Sequence, residues 1–85
     1  MFLLIITYAI FMNLNMAVAE TIKDLRKQRG VSQEKLADAI DSHQVYISEI
    51  EKGKKIPSLT ILYNIAKFFD MSLTELVREI EEKLD

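Results

Sequence analysis

The sequence predicts an all-α fold, a compact bundle of five short helices preceded by an apolar N-terminal segment. Three observations predict it. Apolar residues recur at spacings of three and four from about Glu20 onward, which is the period of a helix face. Serines stand just before several of these runs, where a hydroxyl can cap the first turn. The chain has only two glycines and one proline, and all three fall between the apolar runs.

The first predicted helix runs from about Glu20 to Gln28. Ile22 and Leu25 are spaced so that both face inward. Gly30 follows where a C-terminal cap is expected, because glycine adopts the left-handed backbone of such a cap without strain.

Residues 31–53 predict two short helices joined by a sharp turn. Ser32 is a suitable N-cap for the first of them. Asp41 and Ser42 then interrupt the run, because aspartate tolerates left-handed backbone and serine competes for local backbone hydrogen bonds. The expected inward residues of the two helices are Leu36, Ala37, Ile40, Ile47 and Ile50. This segment therefore predicts a helix-turn-helix.

Two further helices are predicted after Pro57. Ser58 caps a fourth helix that runs to about Phe69. Ser72 caps the fifth, and Glu75 three residues later completes the pattern of a capping box.

The last two helices carry more apolar residues than one small core is expected to cover. On the fourth helix, Ile61 and Phe68 lie roughly opposite the main apolar face, with Ile65 between them. On the fifth helix the apolar residues form a narrow seam with coiled-coil spacing. We expect a two-fold homodimer rather than cover by the N-terminal segment or by ordinary packing. The expected dimerisation residues are Ile61, Ile65, Phe68, Leu76, Ile80 and Leu84.

Residues 21–77 resemble the lambda-repressor-like helix-turn-helix family, also called the Xre family. The resemblance rests on the motif VSQEKLADAIDSHQVYISEIEKG, on IKDLRKQRG before it and on PSLTILYNIAKFFDMSLTELV after it. The family usually has glycine at the corner where this chain has Asp41. The resemblance implies that residues 20–85 are a DNA-binding domain with a C-terminal dimerisation helix. Residues 1–19 are then an extension.

The outward face of the motif's second helix is the expected base-reading surface, because a helix fits the DNA major groove. Gln44 is the best candidate reader: its amide donates and accepts at once and so pairs bidentately with adenine. The same position contacts bases in the resembling family. Val45 suits a thymine methyl, and Glu49 suits a cytosine amino group. The expected base-contacting residues are His43, Gln44, Val45, Ser48 and Glu49.

DNA backbone contacts are expected at both ends of the motif. Gln33 resembles a family position that bonds phosphate and supports the reader beside it. Lysines and the amides near a helix start supply further contacts. The expected backbone-contacting residues are Gln33, Lys52, Lys54, Lys55 and Ser58. The resemblance also implies that Arg26 and Glu51 form a structural pair between the first helix and the end of the reading helix.

The charge distribution suits DNA better than the net charge of −2 does. Residues 20–57 carry eight Lys or Arg against seven Asp or Glu, whereas residues 58–85 carry three against six. With one histidine and no cysteine, the sequence shows neither a nucleophile–base pair nor a thiolate metal site. We therefore expect no enzyme activity, cofactor, metal or small-molecule substrate, and a cytoplasmic location.

The expected function is that of a dimeric transcriptional regulator on a two-fold-symmetric operator. Small proteins of this kind resemble controller proteins of restriction-modification systems and also phage-type repressors, and the sequence does not choose between them. The alternative is a toxin–antitoxin component or a protein-interaction module with the same fold.

Residues 1–19 are almost continuously apolar up to Met12, and Asn13 and Asn15 then interrupt the apolar run. The run is shorter than the roughly 20 residues of a membrane span and lacks the positive start of a secretory signal. Three interpretations remain. The segment is a helix or strand that packs on the bundle or extends the dimer; translation starts at Met12 or Met16; or, least favoured, the segment anchors the protein to a membrane.

Overall fold

The computed structural model describes the backbone of residues 2–84 and the side chains of residues 14–84. Its five α-helices are α1 (Phe2–Gln28), α2 (Gln33–Ala39), α3 (Gln44–Glu51), α4 (Leu59–Phe68) and α5 (Leu73–Glu82). The described backbone contains no strand. The predicted all-α, five-helix fold is confirmed.

Serine hydroxyls cap three of the helices, as the sequence predicts. Ser32 and Ser58 each accept a hydrogen bond from the backbone amide three residues later, at 3.0 and 3.1 Å. The Ser72 hydroxyl likewise accepts a hydrogen bond from the Glu75 backbone amide. A Glu75 carboxylate oxygen accepts one from the Ser72 backbone amide, and both bonds are 3.0 Å long. The bond from the Ser72 backbone is the main cause of a lowered pKa of Glu75. An ionised carboxylate therefore stands at the positive end of α5.

The first four helices end alike, with a residue in the left-handed region just past the last turn. These residues, with φ between 56° and 75°, are Gly30, Asp41, Gly53 and Asp70. At the corner between α2 and α3, the Ser42 amide donates to the Ala37 carbonyl at 2.8 Å, and the Asp41 amide donates to the carbonyl one residue further on. This is the Schellman arrangement. Asp41 thus adopts the left-handed conformation at the position where the resembling family usually has glycine.

The core lies between the helix-turn-helix pair, α1 and the α4–α5 pair. The inward faces predicted for α2 and α3 are buried: Leu36, Ala37, Ile47 and Ile50 are at most 1 % exposed, and Ile40 is 7 % exposed. Ile22 of α1 and Phe69, which follows α4, close the same core. Burial of these side chains holds α2 and α3 in one fixed arrangement.

The first helix begins much earlier than predicted. The sequence predicts a start at about Glu20, whereas α1 begins at Phe2. The residues just before Glu20 are buried, with exposures of 3 %, 6 % and 1 % for Ala17, Val18 and Ala19. The prediction is wrong because Asn15 does not interrupt the helix. Asparagine costs a helix only a fraction of a kcal/mol, and no glycine or proline separates Asn15 from Glu20.

The described residues of this extension pack on the bundle. Val18 lies four residues before Ile22 on the same inward face. The sulfur of Met16 lies 3.1 Å from where a Cβ would stand at Gly53, beyond the end of α3. The interpretations of the segment before residue 14 depend on side chains outside the described residues. Among the described residues, no helix has both the length and the apolar character of a membrane span.

Three residues expected at a dimer interface lie inside the core of the single chain. Ile65 and Leu76 are 0 % exposed and Ile80 is 5 % exposed, so none of them offers a surface to a second copy. The prediction is wrong for these three because helical spacing shows which face is apolar but not what covers it. The other three keep some exposed surface: Ile61, Phe68 and Leu84.

Two truncations test the position of the core boundary. A chain beginning at Met16 keeps every buried side chain of the described α1, whereas one beginning at Glu20 loses Val18 and its two alanine neighbours. The chain beginning at Glu20 also lacks the Ala17 carbonyl, which accepts a hydrogen bond from the buried Thr21 hydroxyl at 2.7 Å. We expect the shorter chain to be less stable by about 2 to 4 kcal/mol. Urea unfolding followed by circular dichroism measures the difference. Equal free energies of unfolding would contradict the assignment of these residues to the core.

Candidate nucleic-acid interface

Helix α3 buries one face and exposes the other. Ile47 and Ile50 are 0 % exposed and anchor it. Gln44 and Val45, on the opposite face, are exposed, the second by 64 %. One turn later, Ser48 and Glu49 are half-buried on that same face. Four of the expected base-contacting residues therefore share one accessible surface of a short helix.

His43, the fifth expected base contact, is the N-cap residue of α3. Its backbone is extended, with φ −121° and ψ 147°, and its exposed side chain makes no capping hydrogen bond among the described residues. The imidazole is therefore available to a ligand beside the start of α3.

The first residues of the two motif helices meet side by side. Gln33 begins α2 and Gln44 begins α3. The Gln44 side-chain nitrogen donates to the Gln33 side-chain oxygen across this junction. Two helix N-termini, with their free backbone amides, thus stand next to a pair of hydrogen-bonded side-chain amides.

Arg26 and Glu51 form a bidentate ion pair. Arg26 donates to the two carboxylate oxygens at 2.8 Å from Nε and 3.0 Å from Nη2, and its Nη1 donates to the Val31 carbonyl at 2.9 Å. The side chains are 13 % and 4 % exposed. The hydrogen bond to Glu51 raises the pKa of Arg26, against the opposing effect of burial. The structure thus brings the expected structural pair together, tying α1 to the end of α3.

Glu51 also contacts the start of α2, which the sequence did not predict. Gln33 Nε2 donates to Glu51 Oε1 at 3.1 Å. The two residues are 18 positions apart on different helices, so no local spacing indicates the contact. Both partners were singled out from the sequence, but for separate roles.

The expected backbone-contacting lysines are exposed at and after the end of α3. They are Lys52, Lys54 and Lys55. Lys55 leans back over α3, with Nζ 3.8 Å from a Glu49 carboxylate oxygen and 5.9 Å from the centre of the Tyr46 ring. Ser58 lies beyond them at the start of α4, where its hydroxyl accepts the capping bond and keeps its proton free to donate.

Comparison with known proteins identifies the class. The model of the family described as Helix-turn-helix (HTH_3) matches residues 22–76, which include all of α2, α3 and α4. The chain belongs to this helix-turn-helix family. The match confirms the resemblance drawn from the motif.

Two relatives and one solved structure illustrate the similarity. The chain is 40 % identical over 63 residues to the control protein C.MunI of Mycoplasma sp, covering 73 % of this chain and 85 % of that protein. It is 34 % identical over 64 residues to the cryptic phage CTXphi transcriptional repressor RstR of Vibrio cholerae, covering 75 % of this chain but only 58 % of RstR. The crystal structure of the clp gene regulator ClgR from Corynebacterium glutamicum superposes with a TM-score of 0.78 at 25 % identity, covering 84 % of this chain and 76 % of ClgR.

Replacing Arg26 by alanine tests the ion pair. The variant leaves a Glu51 carboxylate that is 4 % exposed without its cation, so we expect the free energy of unfolding to fall by about 3 kcal/mol. Lys27→Ala, at an exposed position of the same helix, is the matched control and is expected to change it by less than about 0.5 kcal/mol. Chemical denaturation measures both. A loss no larger for Arg26→Ala than for Lys27→Ala would show that the pair adds nothing to stability.

Proposed function

We propose that the protein is a sequence-specific, DNA-binding transcriptional regulator that acts as a homodimer on a two-fold-symmetric operator. The observation that carries the proposal is the exposed polar face of α3, with the Gln33–Gln44 amide pair at its start. Membership of the helix-turn-helix family supports it. A DNA target of this kind also implies a cytoplasmic location.

In this proposal α3 lies in the major groove and Gln44 reads adenine. After donating one proton to Gln33, the Gln44 amide still has its second N–H and its carbonyl oxygen. These are the donor and acceptor that adenine N7 and N6 require. Val45 and Glu49 face the neighbouring bases, and His43 and Ser48 contact bases or sugar-phosphate at either side.

The phosphate contacts fix the position of α3 in the groove. Gln33 and the N-terminal amides of α2 bind one strand of the backbone. The exposed lysines at and after the end of α3 and the start of α4 at Ser58 bind it further along. Phosphate neutralisation by these lysines is independent of base sequence and depends on salt.

The relatives suggest two kinds of regulatory system. One relative is a control protein and another is a phage repressor, which favours a restriction-modification controller or a phage-type repressor for this chain as well. Because the chain spans only 58 % of RstR, the comparison with that protein concerns the helix-turn-helix unit alone. The alternative is a toxin–antitoxin component or an interaction module built on the same fold.

The proposed dimer surface is the exposed apolar face of α4 and α5 that carries Leu59 and Tyr63. It differs from the face expected from the sequence, since Ile61 and Phe68 lie on the other side of α4. Leu59 and Tyr63, one helical turn apart on α4, are 66 % and 46 % exposed. Tyr63 and Leu73 line one groove, and Leu73 and Val77 line the next, so the surface is continuous between the two helices. An apolar surface of this kind on a small protein fits a two-fold contact with a second copy.

Substitution of Gln44 by alanine tests the reading role. We expect binding to the operator to weaken by about 1 to 3 kcal/mol and the preference at one position of each half-site to relax. Lys54→Ala is expected to weaken binding to all sequences alike and to reduce the salt dependence, because it removes only a phosphate contact. Titrations of an operator selected from a random duplex library, and of random DNA, measure both effects. Unchanged affinity of Gln44→Ala for both DNAs would refute the assignment of the reader.

Tyr63→Glu tests the dimer surface without touching the core. A charge placed in an apolar contact must be desolvated or must break the contact, so we expect a monomer at micromolar concentration. With only one half-site engaged, operator affinity should fall at least roughly tenfold. Ile56→Glu, at an apolar residue 54 % exposed in the loop between α3 and α4, should leave the dimer intact. Sedimentation measures the oligomeric state. A dimeric Tyr63→Glu variant would place the interface elsewhere.

A further inference from the structure

One chain of hydrogen bonds runs from α1 to the start of α3. Arg26 donates to Glu51, Glu51 accepts from Gln33, and Gln33 accepts from Gln44. The chain therefore links the base-reading candidate to an ion pair at the opposite end of the same helix. Glu51 is the only charged acceptor in this chain of four side chains.

We propose that Glu51 is a specificity-positioning residue, whose carboxylate sets the direction of the Gln33 and Gln44 amides and thereby the base that Gln44 prefers. The inference rests on the proposed function, because it assigns no DNA contact to Glu51 itself. It gives the ion pair a second role beside the joining of α1 to α3.

In a row of hydrogen-bonded glutamine side chains, the amides themselves do not determine which one donates and which one accepts. The oxygen and nitrogen ends of a glutamine side chain have nearly the same size and shape, and one accepts where the other donates. Two glutamines in contact can therefore bond in either sense. An ionised carboxylate only accepts. Placed at one end of the chain, it determines the sense of every bond that follows.

Glu51 Oε1 accepts a hydrogen bond from Gln33 Nε2 at 3.1 Å. Gln33 must then turn its oxygen the other way, toward Gln44, and Gln44 must donate to it. The second N–H and the oxygen of Gln44 are thereby left in a fixed order for a base edge. In the reversed order the Gln44 oxygen would face adenine N7 and its nitrogen would face the adenine amino group, so neither contact would be a hydrogen bond.

Arg26 allows Glu51 to keep its charge at this position. A carboxylate that is 4 % exposed loses most of its hydration, and the ionised form needs paired donors to compensate. The guanidinium supplies two, at 2.8 and 3.0 Å. Oε1 still has room for the Gln33 bond, because a carboxylate oxygen accepts more than one.

Glu51→Gln is the direct test, because an amide of the same shape donates as well as accepts and no longer fixes the sense of the chain. The probes are the operator selected by the wild-type protein and the same duplex changed at the base pair where Gln44→Ala relaxes preference. We expect discrimination between the two duplexes to fall roughly threefold to tenfold. Discrimination at the other positions of the half-site should stay the same.

Two controls separate positioning from stability. Arg26→Lys weakens the ion pair but leaves Glu51 as a pure acceptor, so the variant should unfold more easily and discriminate as the wild type does. In a Gln44→Ala background, Glu51→Gln should change nothing further at the Gln44 position. Glu51→Asp keeps the charge and draws the carboxylate back from Gln33, so it should also lower discrimination, and it serves if Glu51→Gln does not fold.

Each result supports or overturns the inference. If folded Glu51 variants bind every sequence more weakly by one factor, with discrimination unchanged, Glu51 is structural only and the inference fails while the proposed function stands. An additional loss of discrimination from Glu51→Gln in the Gln44→Ala background would also overturn it. If Gln44→Ala itself relaxes no position, the assigned reader fails, and this inference fails with it.

Discussion

The ion pair between Arg26 and Glu51 is the constraint on which the helix-turn-helix depends. It ties α1 to the end of α3 through two charge-assisted bonds, and the third guanidinium bond holds the loop carbonyl at Val31, just before α2. The carboxylate then takes a bond from Gln33, the first residue of α2. Three helices thus converge on one buried charged group. Hydrogen bonds to ionised partners are about twice as strong as neutral ones. A shift of any one of these helices would break bonds to the shared group and would therefore be unfavourable.

Apolar packing and the chain of hydrogen bonds from Arg26 to Gln44 together fix the position of α3. Ile47 and Ile50 fix its rotation by burying one face completely, which leaves the other face accessible. The hydrogen-bond chain fixes its two ends, at Gln44 and Glu51. A short helix held in this way presents its outward side chains in a set orientation, which is what reading base edges requires.

Local features of the fold could be predicted from the residues themselves, whereas the contact between helices at Arg26 and Glu51 could be predicted only through the family resemblance. The serine caps and the buried pair of α3 follow from neighbours within one or two turns. The Glu51–Gln33 bond joins residues 18 apart, and no periodicity encodes it. Spacing also showed that Leu76 lies on an apolar face without showing that its own chain covers it. The early start of α1 is not evident from the pattern, because the polar Asn15 interrupts the apolar run without breaking the helix.

The two ends of the accessible face of α3 differ in how firmly they are held. Gln44 belongs to a chain that ends on a buried ion pair, so its amide is ordered before any ligand arrives and binding costs it little further entropy. Glu49, more than one turn later, contacts only the exposed Lys55 among the described charged side chains, at 3.8 Å, and surface pairs of this kind contribute about 0 to 1 kcal/mol. Glu49 can therefore exchange its partner at small cost. The start of α3 is thus the fixed region of its accessible face, and the following turn, which carries Glu49, is the adaptable region. Under the proposed function, this difference favours strict base selection at Gln44 and tolerance at Glu49.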